Sequence, residues 1–301
     1  MSLSPQFGIN VDPATDELAH TLERTQFADE NGIDLVTIQD HPYNRRFVDT
    51  LTLITHLAAR TQHVRLGTNV ANLPLRPPVM LAKQAAAIDV LSGGRFELGL
   101  GAGAFWQAIN AFGAPTRTPA EAYAAFSEAI SILRGLWDTV GKGFTYKGDF
   151  YQVNGAQFGP APAHRIPIWV GAAGPKMLRL TGRAADGVLV SSTYEPPERL
   201  LEINRLIDEG AESVGRSPDA VRRGYNLMGI VDVGQFGGRL ANVQQGIIYG
   251  TPREWIDLLT RYYTDYRQDT FLFWPTSDQP MRQLEAFANE IIPGVRANIA
   301  A

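Results

Sequence analysis

Cysteine is absent from all 301 residues, which excludes disulfides, thiolate metal sites, iron–sulfur clusters and a cysteine nucleophile. No apolar run approaches the roughly 20 residues of a membrane span, and no charged-then-apolar leader opens the sequence. Lysine is scarce: Lys83, Lys142, Lys147 and Lys176 are the only ones, and none stands inside an expected strand, which disfavours a Schiff-base aldolase. A His-x-His at the first strand, HExxH and GxSxG are all missing, so a metal-dependent barrel hydrolase lacks its ligands and no metal site is expected. An excess of positive charge is missing too. The net charge of −4 argues against nucleic acid or an anionic membrane surface as partner. Together these absences fit a soluble chain in a reducing cytoplasm.

What is present is one theme repeated: a short β-branched run, a loop, then a longer helical stretch. Strands are expected at 7–10, 35–38, 64–68, 95–100, 166–170, 187–191, 225–233 and 270–274. The run 35–38 is continuously apolar-rich, as a strand buried on both faces should be. Helices are expected between them. Asp12-Pro13 reads as N-cap and first helical residue of a helix ended by Gly32, and Asp49 or Thr50 caps the next. Thr118-Pro119-Ala120-Glu121 and Thr251-Pro252-Arg253-Glu254 are capping boxes with proline at the first helical position. A helix from 278 to 292 closes the chain. Eight strands alternating with eight helices favour a (β/α)8 TIM barrel with inserted loops over the runner-up, a doubly wound sheet. No shift in composition marks a boundary, so residues 1–301 are expected to form one domain. Its insertions are a Gly/Pro/Thr-rich connection at 104–118, an aromatic hairpin within 141–167 and a Gly/Gln-rich stretch at 234–250.

In such a barrel the site lies in the loops after the strands. Of five histidines only His41, in Gln39-Asp40-His41-Pro42, directly follows a buried strand. Read alone, Asp40-His41 is equally a loop start with Asp40 capping backbone amides. Gly99-Leu100-Gly101-Ala102-Gly103 follows the fourth strand. It does not open a helix directly, so it suits close approach of backbone to a flat ligand better than a dinucleotide fingerprint, with a plain flexible turn as the alternative. Gly171-Ala172-Ala173-Gly174-Pro175 leads into a helix carrying Lys176, a sequence suited to exposing backbone N–H groups to a phosphate or simply to tight packing. Trp106 and the aromatics at 144–151 serve either as a lid or as packing for the insertion.

Taken together, these segments resemble the bacterial luciferase-like family of flavin- and deazaflavin-dependent oxidoreductases. The matching stretches run from Gly32 to His41, Val64 to Val70, Leu91 to Gly103, Ile168 to Pro175 and Gly182 to Gly187, in order along nearly the whole chain. The resemblance implies a (β/α)8 barrel with an insertion and either FMN or coenzyme F-420 (8-hydroxy-5-deazaflavin). It implies hydride transfer at the flavin ring, or dioxygen activation, on a small organic substrate. By residue, it makes His41 the group that hydrogen-bonds the cofactor or reacting oxygen and moves a proton, with Asp40 tuning its charge or orientation. Asn69-Val70 matches a position where relatives often carry a non-proline cis peptide that bulges against the ring. Gly101, Ala102 and Gly103 would lie along the ring or ribityl chain, and Gly171, Ala172, Ala173 and Gly174 would take the phosphate. A flavin reductase is the implied partner if FMN is used, and a homo-oligomer is the implied assembly.

Two departures stand out. The deazaflavin sugar-phosphate and alcohol dehydrogenases of the family carry Glu after the glycine run, where this chain has Ala104-Phe105-Trp106. They carry Trp shortly after the Asp-His pair, where this chain has Tyr43-Asn44-Arg45. Both count against sugar oxidation. A non-catalytic flavin-binding or partner subunit, and a flavin-free barrel enzyme acting on a sugar phosphate, are the competing readings.

Overall fold

Eight parallel strands follow one another around a closed sheet: β1 (Gln6–Val11), β2 (Leu35–Ile38), β3 (Arg65–Thr68), β4 (Phe96–Gly101), β5 (Ile168–Gly171), β6 (Gly187–Ser191), β7 (Arg222–Val231) and β8 (Thr270–Pro275). Each pairs with the next, and β8 returns to β1 with Phe7 opposite Phe271. That last pairing makes the sheet a barrel and excludes the doubly wound alternative. The computed structural model describes residues 3–234 and 246–300. Most of the expected 234–250 insertion therefore lies outside the described residues; its far end, Ile248–Gly250, adds a short strand beside β7.

The helices form the outer ring: α1 (Leu18–Glu30), α2 (Thr50–Ala58), α3 (Pro78–Ser92), α4 (Pro119–Asp138), α5 (Pro175–Ala184), α6 (Leu200–Glu212), α7 (Pro252–Thr264) and α8 (Pro280–Ala286). Local chemistry sets several ends. Asp49 accepts from the Thr52 amide at 2.9 Å to start α2, and both capping boxes form at α4 and α7. Gly93, at φ +72°, ends α3. No helix among the described residues is long and apolar enough to cross a membrane.

Inside the barrel, Leu35, Trp169, Leu189 and Leu272 form their own cluster. Glycines on neighbouring strands make the room: a Cβ on Gly8 would fall 2.5 Å from Leu272, and one on Gly187 2.3 Å from the Trp169 ring. The Trp169 indole N–H donates to Glu97 at 2.5 Å, and Arg65 pairs with the same carboxylate.

Three sequence expectations are corrected. Asp12-Pro13 does not open α1, which starts at Leu18 without a side-chain cap. The Asp12 carboxylate instead accepts from Gln39, and the following residues are tied to the 42–49 loop through Thr15 N–H to Arg46 O and Val48 N–H to Pro13 O. The 104–118 connection contains a helix of its own, Trp106–Ala111. The last helix does not stop at Ile292 but continues through a π turn (Phe287–Ile291) into Ile292–Ala300. Pro293 follows directly on that π turn, where the hydrogen-bond ladder already departs from the i→i−4 pattern that proline interrupts.

The α5–α6 contact is backbone on backbone. A Cβ on Gly182 would fall 2.0 Å from the Ile207 carbonyl oxygen, and one on Gly210 2.1 Å from that of Arg179. Gly182→Ala and Gly210→Ala are each expected to destabilise the chain by about 1–3 kcal/mol through overpacking. Urea unfolding checks this, and an unchanged midpoint would mean the helices stand further apart.

Candidate active site

A cleft of about 690 Å³ opens at the C-terminal ends of β2 to β5. Asp40 and His41 reach it from the end of β2, Val70 from the loop after β3, Gly101, Ala102 and Gly103 from the end of β4, and Gly171, Ala172, Ala173 and Gly174 from the end of β5. The structure thus brings every sequence-derived candidate except Asn69 to one wall or another of a single cavity. Asn69 turns toward the barrel axis, donating to Asn226 Oδ1 at 2.7 Å and Thr37 Oγ1 at 3.3 Å.

Asp40 is buried and its carboxylate does not face His41. One oxygen accepts from Arg76 Nη2 at 2.7 Å; the other accepts from Arg76 Nε at 2.7 Å and the Asn72 amide at 2.8 Å. Arg76, also buried, donates in addition to Asp49 at 2.6 Å. Burial works to lift the Asp49 carboxyl, but its bonds from Arg76 and Thr52 hold it below the usual range. Of the two roles expected for Asp40, tuning the charge of His41 or its orientation, no hydrogen bond between them carries the second. Asp40 anchors the loop after β3 and reaches His41 only through its field. Sequence reading missed Arg76 because nothing local marks a partner 36 residues away.

That loop delivers Val70. The Asn69–Val70 peptide is cis. The Val70 side chain fills space left by three glycines: a Cβ would approach it to 2.7 Å at Gly101, 2.9 Å at Gly171 and 3.1 Å at Gly99. Glycine at these strand ends is therefore a packing requirement, which the flexible-turn reading of the Gly99–Gly103 run did not capture. Gly103, at φ +98°, adopts a backbone that favours glycine, with the Trp106 ring and Pro74 beside it.

His41 is half-buried, and Nδ1 lies 2.7 Å from the Tyr43 hydroxyl. Desolvation pushes the imidazole below its ordinary pKa, against the opposing fields of Asp40 and Asp12, which favours its neutral form. Burial and the Asp40 charge push Tyr43 up to about 12, so it stays protonated. On the β5 side, α5 begins at Gly174 with no side chain capping it, so its first amides point outward unpaired by the helix itself. A Cβ on Gly174 would meet nothing, and Lys176 is exposed in the same turn. This is a positive, small-residue rim suited to an anion.

The aromatic hairpin is not a lid. Its strands, Gly143–Lys147 and Gln152–Gln157, pack on the outside of α4: Phe144 covers Gly135, Glu128 accepts from the amides of Asp149, Phe150 and Tyr151, and Arg117 lies over the Phe150 and Tyr151 rings. Trp106 does line the cleft, as does Tyr123, whose hydroxyl accepts from Arg183 at 2.8 Å.

A closed parallel barrel with one small-residue cleft across the ends of four adjacent strands defines the class of this protein. The profile of the luciferase-like monooxygenase family matches residues 1–235, and the chain belongs to that family. It is 35% identical over 216 residues to the 5,10-methylenetetrahydromethanopterin reductase of Archaeoglobus fulgidus, an alignment covering 71% of this chain and 61% of that protein. It is 32% identical over 226 residues to the F420-dependent glucose-6-phosphate dehydrogenase of Microbacterium testaceum, covering 72% and 63%. In both cases the match spans less than two thirds of the relative's length. The fold is that of an F420-dependent secondary alcohol dehydrogenase solved with an F420-acetone adduct, at TM-score 0.85 and 20% identity over 97% of this chain and 99% of the other. It is also that of the oxygenating constituent of 3,6-diketocamphane monooxygenase from Pseudomonas putida solved with FMN, at TM-score 0.77 and 16% identity over the same shares.

Two outcomes follow from this geometry. Arg76→Met leaves the buried Asp40 carboxylate unpaired and is expected to cost about 3–5 kcal/mol of stability, measured by chemical unfolding; a near-neutral variant would show that the ion pair does not hold the loop. His41 is expected to titrate by NMR below about 6.5, its ordinary value. The unfolded chain then takes up a proton first, so the His41 contribution to stability falls as pH drops from that value through the folded pKa. A midpoint above 6.5 would contradict the burial.

Proposed function

We propose that this chain is an oxidoreductase that uses FMN or coenzyme F-420 on a small organic substrate. The observation that carries the reading is the joining, in one cleft, of a flat glycine-lined wall backed by Val70, an uncapped helix N-terminus at one side and a neutral imidazole at the other. The cavity falls within the roughly 300–1,000 Å³ of small-molecule sites. When bound, such a coenzyme supplies hydride transfer at its central ring and, for FMN, reaction with dioxygen.

The residues divide the work. Gly171, Ala172, Ala173 and Gly174, with the first amides of α5, hold the phosphate without side chains in the way. Gly101, Ala102 and Gly103 let backbone approach the ring and ribityl chain, and Val70 supports one ring face. Asn69 ties that support to the barrel axis, and Asp40 fixes its path through Arg76. His41 meets the reacting oxygen or the ring edge and moves a proton, a role that a neutral imidazole fills near pH 7. With FMN, a separate flavin reductase would supply reduced coenzyme; a homo-oligomer and a cytoplasmic location belong to the same reading.

Titration with FMN and with coenzyme F-420, followed by fluorescence quenching, is expected to give a Kd below about 100 μM for one of them. Ala173→Asp sets a carboxylate at the anion rim and should weaken that binding at least tenfold. Failure of both coenzymes to bind would end the enzyme reading. His41→Ala should keep coenzyme affinity and lower turnover by about 10²–10⁴-fold; an undiminished rate would favour a role for the imidazole in packing alone.

A further inference from the structure

The β2 side of the cleft is aromatic. The Tyr43 ring lies 5.5 Å from His41, 6.2 Å from Phe105 and 6.4 Å from Phe112, and Phe105 meets His41 edge-on at 5.6 Å. Phe105 lines the cleft and is nevertheless 55% exposed; Phe112, behind Tyr43, is 56% exposed. An open phenylalanine ring at the mouth of a concave site, Phe105, leaves apolar surface in water that a ligand would cover.

The charges are distributed the other way. Among the described residues lining the cleft, Lys176 is the only cation, and it stands on the β5 side in the first turn of α5. Arg76 is held by Asp40 and Asp49 and does not line the cleft. A dianionic substrate on the β2 side would therefore be desolvated with no counter-charge from the lining, beside the Asp40 carboxylate. The carboxylate of Asp40 is taken up by Arg76 and the Asn72 amide, so the polar groups there that can meet a ligand are the His41–Tyr43 pair and the side-chain oxygen of Asn72, which has no partner among the described residues. Because Nδ1 is taken up by the Tyr43 hydroxyl, Nε2 is the imidazole nitrogen left to meet a ligand oxygen.

We propose that the substrate is a neutral molecule with an aromatic or fused-ring apolar body and one hydroxyl or carbonyl group. Its flat body lies against Phe105 and Tyr43, and its oxygen faces His41 Nε2. This rests on the oxidoreductase reading above and narrows it. The β2 wall offers a sugar phosphate no counter-charge, and Phe105 becomes the residue that sets specificity. Tyr43 acts as a positioning residue that turns His41 toward the oxygen.

Calorimetric titration of 2-naphthol and of glucose 6-phosphate tests this, first on the coenzyme-free chain and then on the chain saturated with whichever of FMN or coenzyme F-420 it binds. The naphthol is expected to bind in both states, and glucose 6-phosphate not to bind once the coenzyme phosphate occupies the α5 rim. Phe105→Ala should weaken naphthol binding roughly tenfold, and Phe105→Leu by less. Because Phe105 is exposed, the variants should keep the wild-type melting temperature. The proposal is overturned if naphthol fails to bind, if glucose 6-phosphate binds the coenzyme-loaded chain as well or better, if Phe105→Ala leaves the affinity unchanged, or if bound coenzyme shuts naphthol out. If no coenzyme binds, the coenzyme-free titration still decides the substrate class, so the two readings fail separately.

Discussion

A buried guanidinium clasped by a carboxylate underlies the architecture of the cleft. Arg76 meets Asp40 through two parallel hydrogen bonds and reaches Asp49 with a third, while Asp40 also takes the Asn72 amide. A pair removed from water is stable only where geometry and further hydrogen bonds offset the desolvation, and the fork-to-fork arrangement supplies both. The effect is to weld the chain after β3 to the end of β2 and to the N-cap of α2, 36 and 27 residues away in sequence. With that weld in place, Val70 has one path across the barrel mouth and His41 one position beside it.

The glycines on β4 and β5 are the complement of the weld. Val70 is wide at its Cβ, and it fits only because Gly99, Gly101 and Gly171 present bare backbone toward it. Behind Val70, Asn69 is tied to Thr37 and Asn226, so a polar link joins the loop to β2 and β7. The opposite rim depends on a different economy of atoms. The loop of small residues before α5 leaves a helix N-terminus uncovered, whereas α4 and α7 have theirs closed by Thr118/Glu121 and Thr251/Glu254. One wall is shaped by steric fit, the other by electrostatics, and a phosphate-bearing planar coenzyme requires both.

Much of this was legible before any coordinates. Strand-forming runs at regular intervals, capping boxes and helix-stopping glycines carry their information locally, so eight βα units could be placed, and the loop-after-strand rule singled out His41 among five histidines. What could not be read depends on contacts between distant segments. Closure rests on Phe7 meeting Phe271. The turn of Asp40 away from His41 rests on Arg76, and the glycines at 99, 101 and 171 take their meaning from a valine on another loop. Asp12-Pro13 shows the converse failure. The dipeptide is a strong local signal for a helix start, yet bonds to the 42–49 loop override it and the helix begins at Leu18. Tyr43 was visible only as a departure from the relatives' pattern; its hydrogen bond to His41 emerged from the fold.

Luciferase-like membership, a barrel cleft with one anion-friendly rim and a neutral imidazole facing an aromatic wall combine into a single physical picture. On the proposed reading a flat coenzyme would lie over Val70, with its phosphate on the β5 side and its reactive edge toward His41. A crystal structure of the chain with its coenzyme bound tests this most directly. The picture predicts the ring in van der Waals contact with Val70 and the phosphate within hydrogen-bond distance of the Lys176 and Met177 amides. A ring seated instead across the C-terminal ends of β1 and β8, among Trp274, Asp278 and Arg24, would contradict it.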